Sequence, residues 1–233
     1  MKINYCEQRT DEWFKAKWGS MGGSTAKDLM VPSKKANETS VFYSLLQQLT
    51  EDIDLEKCNE WIGADAARGI EMEPYACMEL ELWLKNNKNY SSDFQWSEVG
   101  LIERCCKYFK LSPDRVDIEL GKKIACEVKC PNGKTHMKWI AESDVDPIPM
   151  EHVWQAISYF TLIEGLETLY WASYRPENKF KPLYIVELNK DSMINVGTTK
   201  RPVNLKMEEA VEVLLSKYNE LEKAIDEQLK RIN

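Results

Sequence analysis

The chain has 233 residues, 43% of them hydrophobic and 30% charged, with 31 Lys and Arg against 38 Asp and Glu for a formal net charge of −7. That length suffices for one substantial core, and 8 Trp, 10 Tyr and 6 Phe help supply the apolar surface that offsets the entropy of ordering a backbone, which excludes wholesale disorder. No apolar run reaches the roughly 20 residues that span a bilayer, the polar opening residues 1–5 do not resemble a secretory signal, and the acidic balance disfavours a surface that coats nucleic acid while permitting a local basic channel. A soluble intracellular protein without a membrane partner is expected. In chain order, the first third reads as helices: a short one over residues 10–17, another opening at Ser24, a third over 39–49 and a long one from about 61 to 84. Pro74 falls inside the last and predicts a kink or a junction there, because it lacks an N–H and crowds the preceding turn.

From residue 94 to 128 the period shortens. Strand-like runs over 106–111, 115–118 and 123–129, separated by Pro113 and Gly121, suggest a meander that Pro131-Asn132-Gly133 ends. A helix over 151–163 follows, with Val153, Ile157 and Phe160 at core spacing. Two more strand-like runs, 168–174 and 182–188, precede a long amphipathic helix over about 203–229, where Val211, Leu214, Leu215, Tyr218, Leu221, Ile225 and Leu229 recur mostly at i, i+3 and i+4. No repeat, low-complexity tract or Gly/Ser linker asks for a boundary. The expectation is one domain over 1–233 of the α/β class, a central mixed β-sheet flanked by helices, with a helical segment over about 1–90 packed on the sheet.

The 7 cysteines show no C-x-x-C spacing, which disfavours a disulfide framework or a structural zinc site. Only His136 and His152 are present, and both are expected at the surface or in hydrogen bonds. Oxygen ligands are therefore the better way for this chain to hold a cation.

The chemistry concentrates in Ser112-Pro113-Asp114 and Glu127-Val128-Lys129. Alternate residues of a strand share a face, so Glu127 and Lys129 point the same way, about 7 Å apart, while Cys126, Val128 and Cys130 point the other way. A carboxylate and an amine side by side on a packed sheet need pairing or a ligand. If Asp114 folds beside Glu127, two anions converge next to one ammonium, and a divalent cation relieves their repulsion. Mg²⁺ so held would polarise a phosphodiester and lower the pKa of a bound water, with Lys129 positioning that water. The plainer alternative makes Asp114 a turn residue and Glu127 with Lys129 a solvated cross-strand pattern.

Four separated segments carry a wider likeness: Glu7-Gln8-Arg9-Thr10-Asp11-Glu12-Trp13 with Gly19 and Ser24; Arg68-Gly69-Ile70-Glu71-Met72-Glu73-Pro74-Tyr75-Ala76; Ser112-Pro113-Asp114 with Glu127-Val128-Lys129-Cys130-Pro131; and Val153-Trp154-Gln155 running to Tyr174-Arg175-Pro176. Together they resemble the PD-(D/E)xK nuclease superfamily, and within it the lambda-type exonucleases, the YqaJ-like viral recombinases. The resemblance implies a PD-(D/E)xK nuclease core and an Mg²⁺- or Mn²⁺-dependent exodeoxyribonuclease that resects linear double-stranded DNA from the 5′ end. It implies metal ligation by Asp114, Glu127, Glu73 and the Val128 carbonyl, and catalytic roles for Lys129 and Gln155. By the resemblance Glu73 is the family carboxylate, in the pattern Gly69, Glu73, Ala76, and Glu71, about 200° away on a helix, cannot face the same site.

The resemblance further implies that Lys17, Ser24, Ser112 and Gln155 contact phosphate. Lys17 stands where arginine is common, which keeps the charge and gives up the bidentate fork, so phosphate capture is expected to be weaker or to be supplied elsewhere, for instance by Lys15. Ser24 after Gly22-Gly23 also suits an ordinary helix N-cap, and the stripe of His152, Gln155 and Tyr159 also suits a solvent face. Of the tryptophans, Trp13, Trp18, Trp61, Trp139 and Trp154 would stack on bases if exposed, but most are expected to be buried. By resemblance alone, partners would be duplex DNA ends, a homo-oligomeric ring (a trimer) and a single-strand annealing protein, in the cytoplasm of a bacterial host with the chain encoded by a phage or prophage. The competing readings are a non-catalytic DNA-binding or structural subunit of the same fold, and a CRISPR-adaptation nuclease, whose iron–sulfur cluster needs cysteines beyond Cys130 that this sequence lacks.

Overall fold

A computed structural model describes residues 1–58, 63–118 and 123–232. Trp61 and Gly121 lie outside the described residues. Strand β1 (Lys2–Asn4) leads into helix α1 (Asp11–Lys17), whose start is set by Thr10, its side chain accepting from the Trp13 N–H. A single 3-10 turn, Gly23–Thr25, precedes α2 (Ala26–Leu29), and α3 (Ser40–Thr50) is capped by Thr39 in the same manner as α1. After α4 (Leu55–Cys58), helix α5 (Ala64–Asn87) runs without interruption through Pro74. The proline leaves the Ile70 carbonyl without a helical donor, but Pro74 sits on the exposed face, where water can take that place.

The middle of the chain forms β2 (Leu101–Glu103), β3 (Lys110–Leu111), β4 (Arg115–Asp117) and β5 (Ile124–Lys129). The expected run over 106–111 shortens to β3 because Lys107 and Tyr108 form a turn, with the Tyr108 N–H donating to the Tyr218 hydroxyl at 2.6 Å. Helices α6 (Gly133–Ala141) and α7 (Met150–Leu162) then cross over to β6 (Thr168–Tyr174), which pairs with β7 (Leu183–Leu188). A hairpin-like pair, β8 (Met193–Asn195) and β9 (Asn204–Lys206), leads into α8 (Met207–Ile232). The closing helix therefore starts later than its pattern suggests, because residues 204–206 are held in register opposite 193–195.

The expected meander is divided between two sheets. Strands β1, β2 and β3 form an antiparallel sheet, whereas β4, β5, β6 and β7 form the mixed one, in which only the β5–β6 pair is parallel. The alternation along β5 is the one its sequence predicts. Ile124, Cys126 and Val128 pack with Leu80 and Leu84 of α5 on one face, while Ala125 joins Trp171 of β6 and Ile157 of α7 in the larger core on the other. Glu127 and Lys129 share the Ala125 face, at the end of the strand nearest α7, and α8 packs outside α7.

Candidate active site

The β4–β5 hairpin brings the two distant acids together. Its last paired residues are Arg115 and Cys126, so one further antiparallel step sets Asp114 beside Glu127. The Val128 N–H donates to Asp114 Oδ2 at 2.6 Å and pins the carboxylate there. Gln8, from the segment before α1, fixes the preceding turn by donating from Nε2 to the Pro113 carbonyl at 2.8 Å and the Val99 carbonyl at 2.9 Å.

Glu127 is only 2% exposed, and each of its oxygens is bound. Oε1 accepts from Gln155 Nε2 at 2.8 Å and pairs with the Lys129 ammonium. Oε2 accepts from the Tyr159 hydroxyl at 2.5 Å, and the same hydroxyl lies 3.2 Å from the Cys126 carbonyl and accepts from the Asp114 N–H at 3.4 Å. Gln155 and Tyr159 lie one turn apart on α7, so the two face the same way, and both reach Glu127. Tyr159 is wholly buried and is a site residue to which the sequence gives no role; the only signal for it is its i+4 spacing from Gln155.

A cleft of about 300 Å³ is lined by the candidate residues Lys17, Glu73, Ser112, Asp114, Glu127, Val128, Lys129 and Gln155. Lys15 and Glu71 are exposed and do not line it. Ser24 opens instead into an adjoining hollow of about 210 Å³ that Lys17 also lines. A Cβ on Gly22 would stand 3.7 Å from Lys17 Nζ and 3.9 Å from Ser24 Oγ. On Gly23 it would stand 3.3 Å from Ser158 Cβ, so the 3-10 turn approaches α7 closely because the residue is glycine. Ser112 Oγ donates to the Gly100 carbonyl at 2.9 Å and lies 3.3 Å from Trp13 Nε1. Lys17 Nζ sits 4.4 Å from the centre of the Trp13 ring.

Burial, reinforced by the charges of Glu127 and Glu73, pushes the Asp114 carboxyl well above the usual carboxylate range, against the pull of Lys129 and the Val128 N–H. Burial draws the Lys129 ammonium down, but Glu127, Asp114 and Glu73 outweigh it and leave the group raised. Lys17 is lowered, by burial first and by the nearby Arg9 guanidinium second. Glu73 faces two arginines: Arg9 Nη2 lies 2.6 Å from its Oε2 and Arg115 Nη1 3.6 Å from its Oε1. No three acidic, histidine or cysteine side chains among the described residues are already converged as a metal cage. The donor set nonetheless suits a hard divalent cation: carboxylates of Asp114, Glu127 and Glu73 around one cleft, with the Val128 backbone at its wall and unfavourable acid–acid charge that such an ion relieves.

Other expectations resolve simply. His136 is buried between the Ser173 hydroxyl at 2.7 Å and the Lys181 carbonyl at 2.8 Å. His152 packs against the rings of Trp139 and Trp171. Trp13, Trp139 and Trp154 are buried and Trp18 is half-buried. No helix among the described residues is long and apolar enough to cross a membrane.

Residues 12–162 match the model of the YqaJ-like viral recombinase domain, more than half of the chain. The chain belongs to that family. In fold it is similar to an alkaline exonuclease from Laribacter hongkongensis, at 24% identity over 95% of this chain and 97% of that one with a TM-score of 0.64. A second structure of that enzyme, in complex with dAMP, gives a TM-score of 0.63 at the same identity and coverage. A phage-related exonuclease from Haemophilus somnus is 9% identical over 92% of this chain and 96% of that one, with a TM-score of 0.55. No curated protein matches the chain significantly. The YqaJ-like match includes every candidate residue of the cleft named from the sequence, while Gln8 and Arg9 precede it.

Proposed function

We propose that this protein is a divalent-metal-dependent deoxyribonuclease, a single nuclease domain that acts as a 5′-to-3′ exonuclease on linear double-stranded DNA and resects ends for phage-type recombination by single-strand annealing. The observation that carries this reading is the junction of Asp114, Glu127 and Lys129 at the end of one hairpin, in a cleft that also holds Gln155 and Lys17. Family membership supports it, as do the exonuclease names of the structures that share the fold, one of them in complex with dAMP.

Asp114, Glu127, Glu73 and the Val128 carbonyl would hold Mg²⁺ or Mn²⁺, which when bound would supply Lewis-acid polarisation of the phosphate and an acidified water. Lys129 would orient an attacking water toward phosphorus and offset the charge that builds on the non-bridging oxygens as the bond to the leaving oxygen breaks. Gln155 and Tyr159 keep Glu127 turned into the cleft, Lys17 with Ser24 receives phosphate oxygens of the strand end, and Ser112 stands near the scissile phosphate.

The test is incubation of 5′-phosphorylated linear duplex with Mg²⁺, with and without chelator, following release of nucleotides. Metal-dependent release from the 5′ end is the expected result. Binding of duplex without release, by protein that is folded and metal-loaded, would replace this reading with that of a DNA-binding subunit.

A further inference from the structure

Arg9 is a cleft residue to which neither the family likeness nor the proposed mechanism gives a task. Its side chain is 42% exposed, yet Nη2 reaches Glu73 Oε2 at 2.6 Å, and Glu73 is only 14% exposed. The pair stands as a partition: Arg9 and Glu73 line both the cleft of about 300 Å³ and a second hollow of about 370 Å³ that extends to Glu98 and Arg115. Arg9 also holds φ at 67°, in the left-handed region that an L-residue adopts at a cost. That backbone is clamped on both sides, by the Gln8 side chain on the Val99 and Pro113 carbonyls and by Thr10 as the cap of α1. The strain therefore sits at a guanidinium aimed at a candidate metal ligand.

Charge gives this placement a meaning. The charged residues lining the cleft are Arg9, Lys17 and Lys129 against Glu73, Asp114 and Glu127, a formal balance. A divalent cation ligated by Glu73 would stand close to the Arg9 guanidinium, and the two cations would repel each other across that carboxylate. A bound divalent cation also leaves the cleft positive by its own charge, which a phosphate group restores toward neutrality, a terminal monoester at roughly −1.5 to −2 more fully than a diester.

We propose that Arg9 is a resident counter-cation that neutralises Glu73 until a divalent ion displaces it, and that the freed guanidinium then takes a phosphate of the DNA strand end beside Lys17. It supplies the planar bidentate fork that lysine lacks. The inference rests on the nuclease reading above and adds an exchange of cations to it.

The decisive experiment uses Arg9→Gly, because glycine accepts the left-handed φ without strain and removes the guanidinium together with its stem. Calorimetric titration with Mn²⁺ and steady-state cleavage of 5′-phosphorylated duplex are compared for wild type, Arg9→Gly and Glu127→Gln. Losing the competitor should tighten Mn²⁺ binding about threefold, as befits a partly exposed ion pair. Losing the phosphate contact should raise KM for DNA about tenfold. The opposite signs are the signature, since structural damage would weaken both. Mn²⁺ binding unchanged or weaker in Arg9→Gly, or an unchanged KM, overturns the exchange. Arg9→Asn, which also tolerates this φ, serves equally if the glycine variant is poorly folded. If wild type binds no Mn²⁺ that Glu127→Gln abolishes, the nuclease reading itself fails and the exchange falls with it; if it does bind and Arg9→Gly matches wild type, the exchange alone falls.

Discussion

Lys129→Ala separates the structural from the chemical work of the cleft. The ammonium is the only cation paired with Glu127 among the described residues, and Glu127 is 2% exposed with Asp114 beside it. Truncation leaves Glu127 with two neutral donors, Gln155 at 2.8 Å and Tyr159 at 2.5 Å, but without a counter-charge. Breaking a buried pair in this way costs about 3 kcal/mol. At 2–4 °C per kcal/mol for a chain of this size, the melting temperature in chelator should fall by roughly 6–12 °C. A divalent ion at Asp114 and Glu127 replaces the missing charge, so in Mg²⁺ the deficit should shrink to less than about half of that. Turnover should not recover with it. In the proposed mechanism the ammonium would act on the water and on the charge that develops at phosphorus, so its loss should lower single-turnover nucleotide release about a thousandfold even at saturating Mg²⁺. Thermal melts in chelator and in Mg²⁺, paired with single-turnover cleavage of 5′-phosphorylated duplex, measure both effects. Cleavage within tenfold of wild type, or an equal melting deficit in the two buffers, would refute the assignment.

Tyr159→Phe removes one hydroxyl that touches both acid-bearing segments, so it should cost about 2 kcal/mol of stability and weaken Mn²⁺ binding about tenfold by letting Glu127 turn. Calorimetry showing wild-type affinity would mean that Lys129 and Gln155 alone orient the carboxylate. His152 supplies a test by pH. Burial first, then the charges of Lys129 and Lys27, lowers its imidazole from the ordinary 6.5 to about 3. Below pH 6.5 the unfolded chain therefore binds a proton that the folded chain refuses, and stability falls as pH falls, by about 2 kcal/mol at pH 5. His152→Phe should remove that part of the loss, so its melting temperature should decline less than that of wild type between pH 7 and pH 5; parallel declines would contradict the buried, neutral imidazole.

The elements that could be read from the chain are those with a sustained period. The alternation in β5, the strand-like runs of β6 and β7 and the apolar stripes of α3, α7 and α8 mark them within a few residues, because a helix or strand must repeat or sustain its apolar positions to cover a core. The three-residue strands β1, β2, β8 and β9 are too short to show a period and exist through their partners. Helix α6 escaped because Asn132-Gly133 reads as a turn, whereas Asn132 accepts from the Thr135 N–H and caps a helix.

For the site, the spacing of Glu127 and Lys129 by itself determined that a carboxylate and an amine share one face, since the pleat has a period of two. Helical geometry likewise put Glu73 and Glu71 on different faces, and the fold set Glu73 in the cleft and left Glu71 exposed. Only the tertiary structure decided that Asp114 meets them, because that depends on the register of the β4–β5 hairpin. It also decided that Tyr159 and Gln155 face the carboxylate and that Arg9 occupies Glu73, since α7 and the segment before α1 reach the cleft through packing that no local pattern encodes.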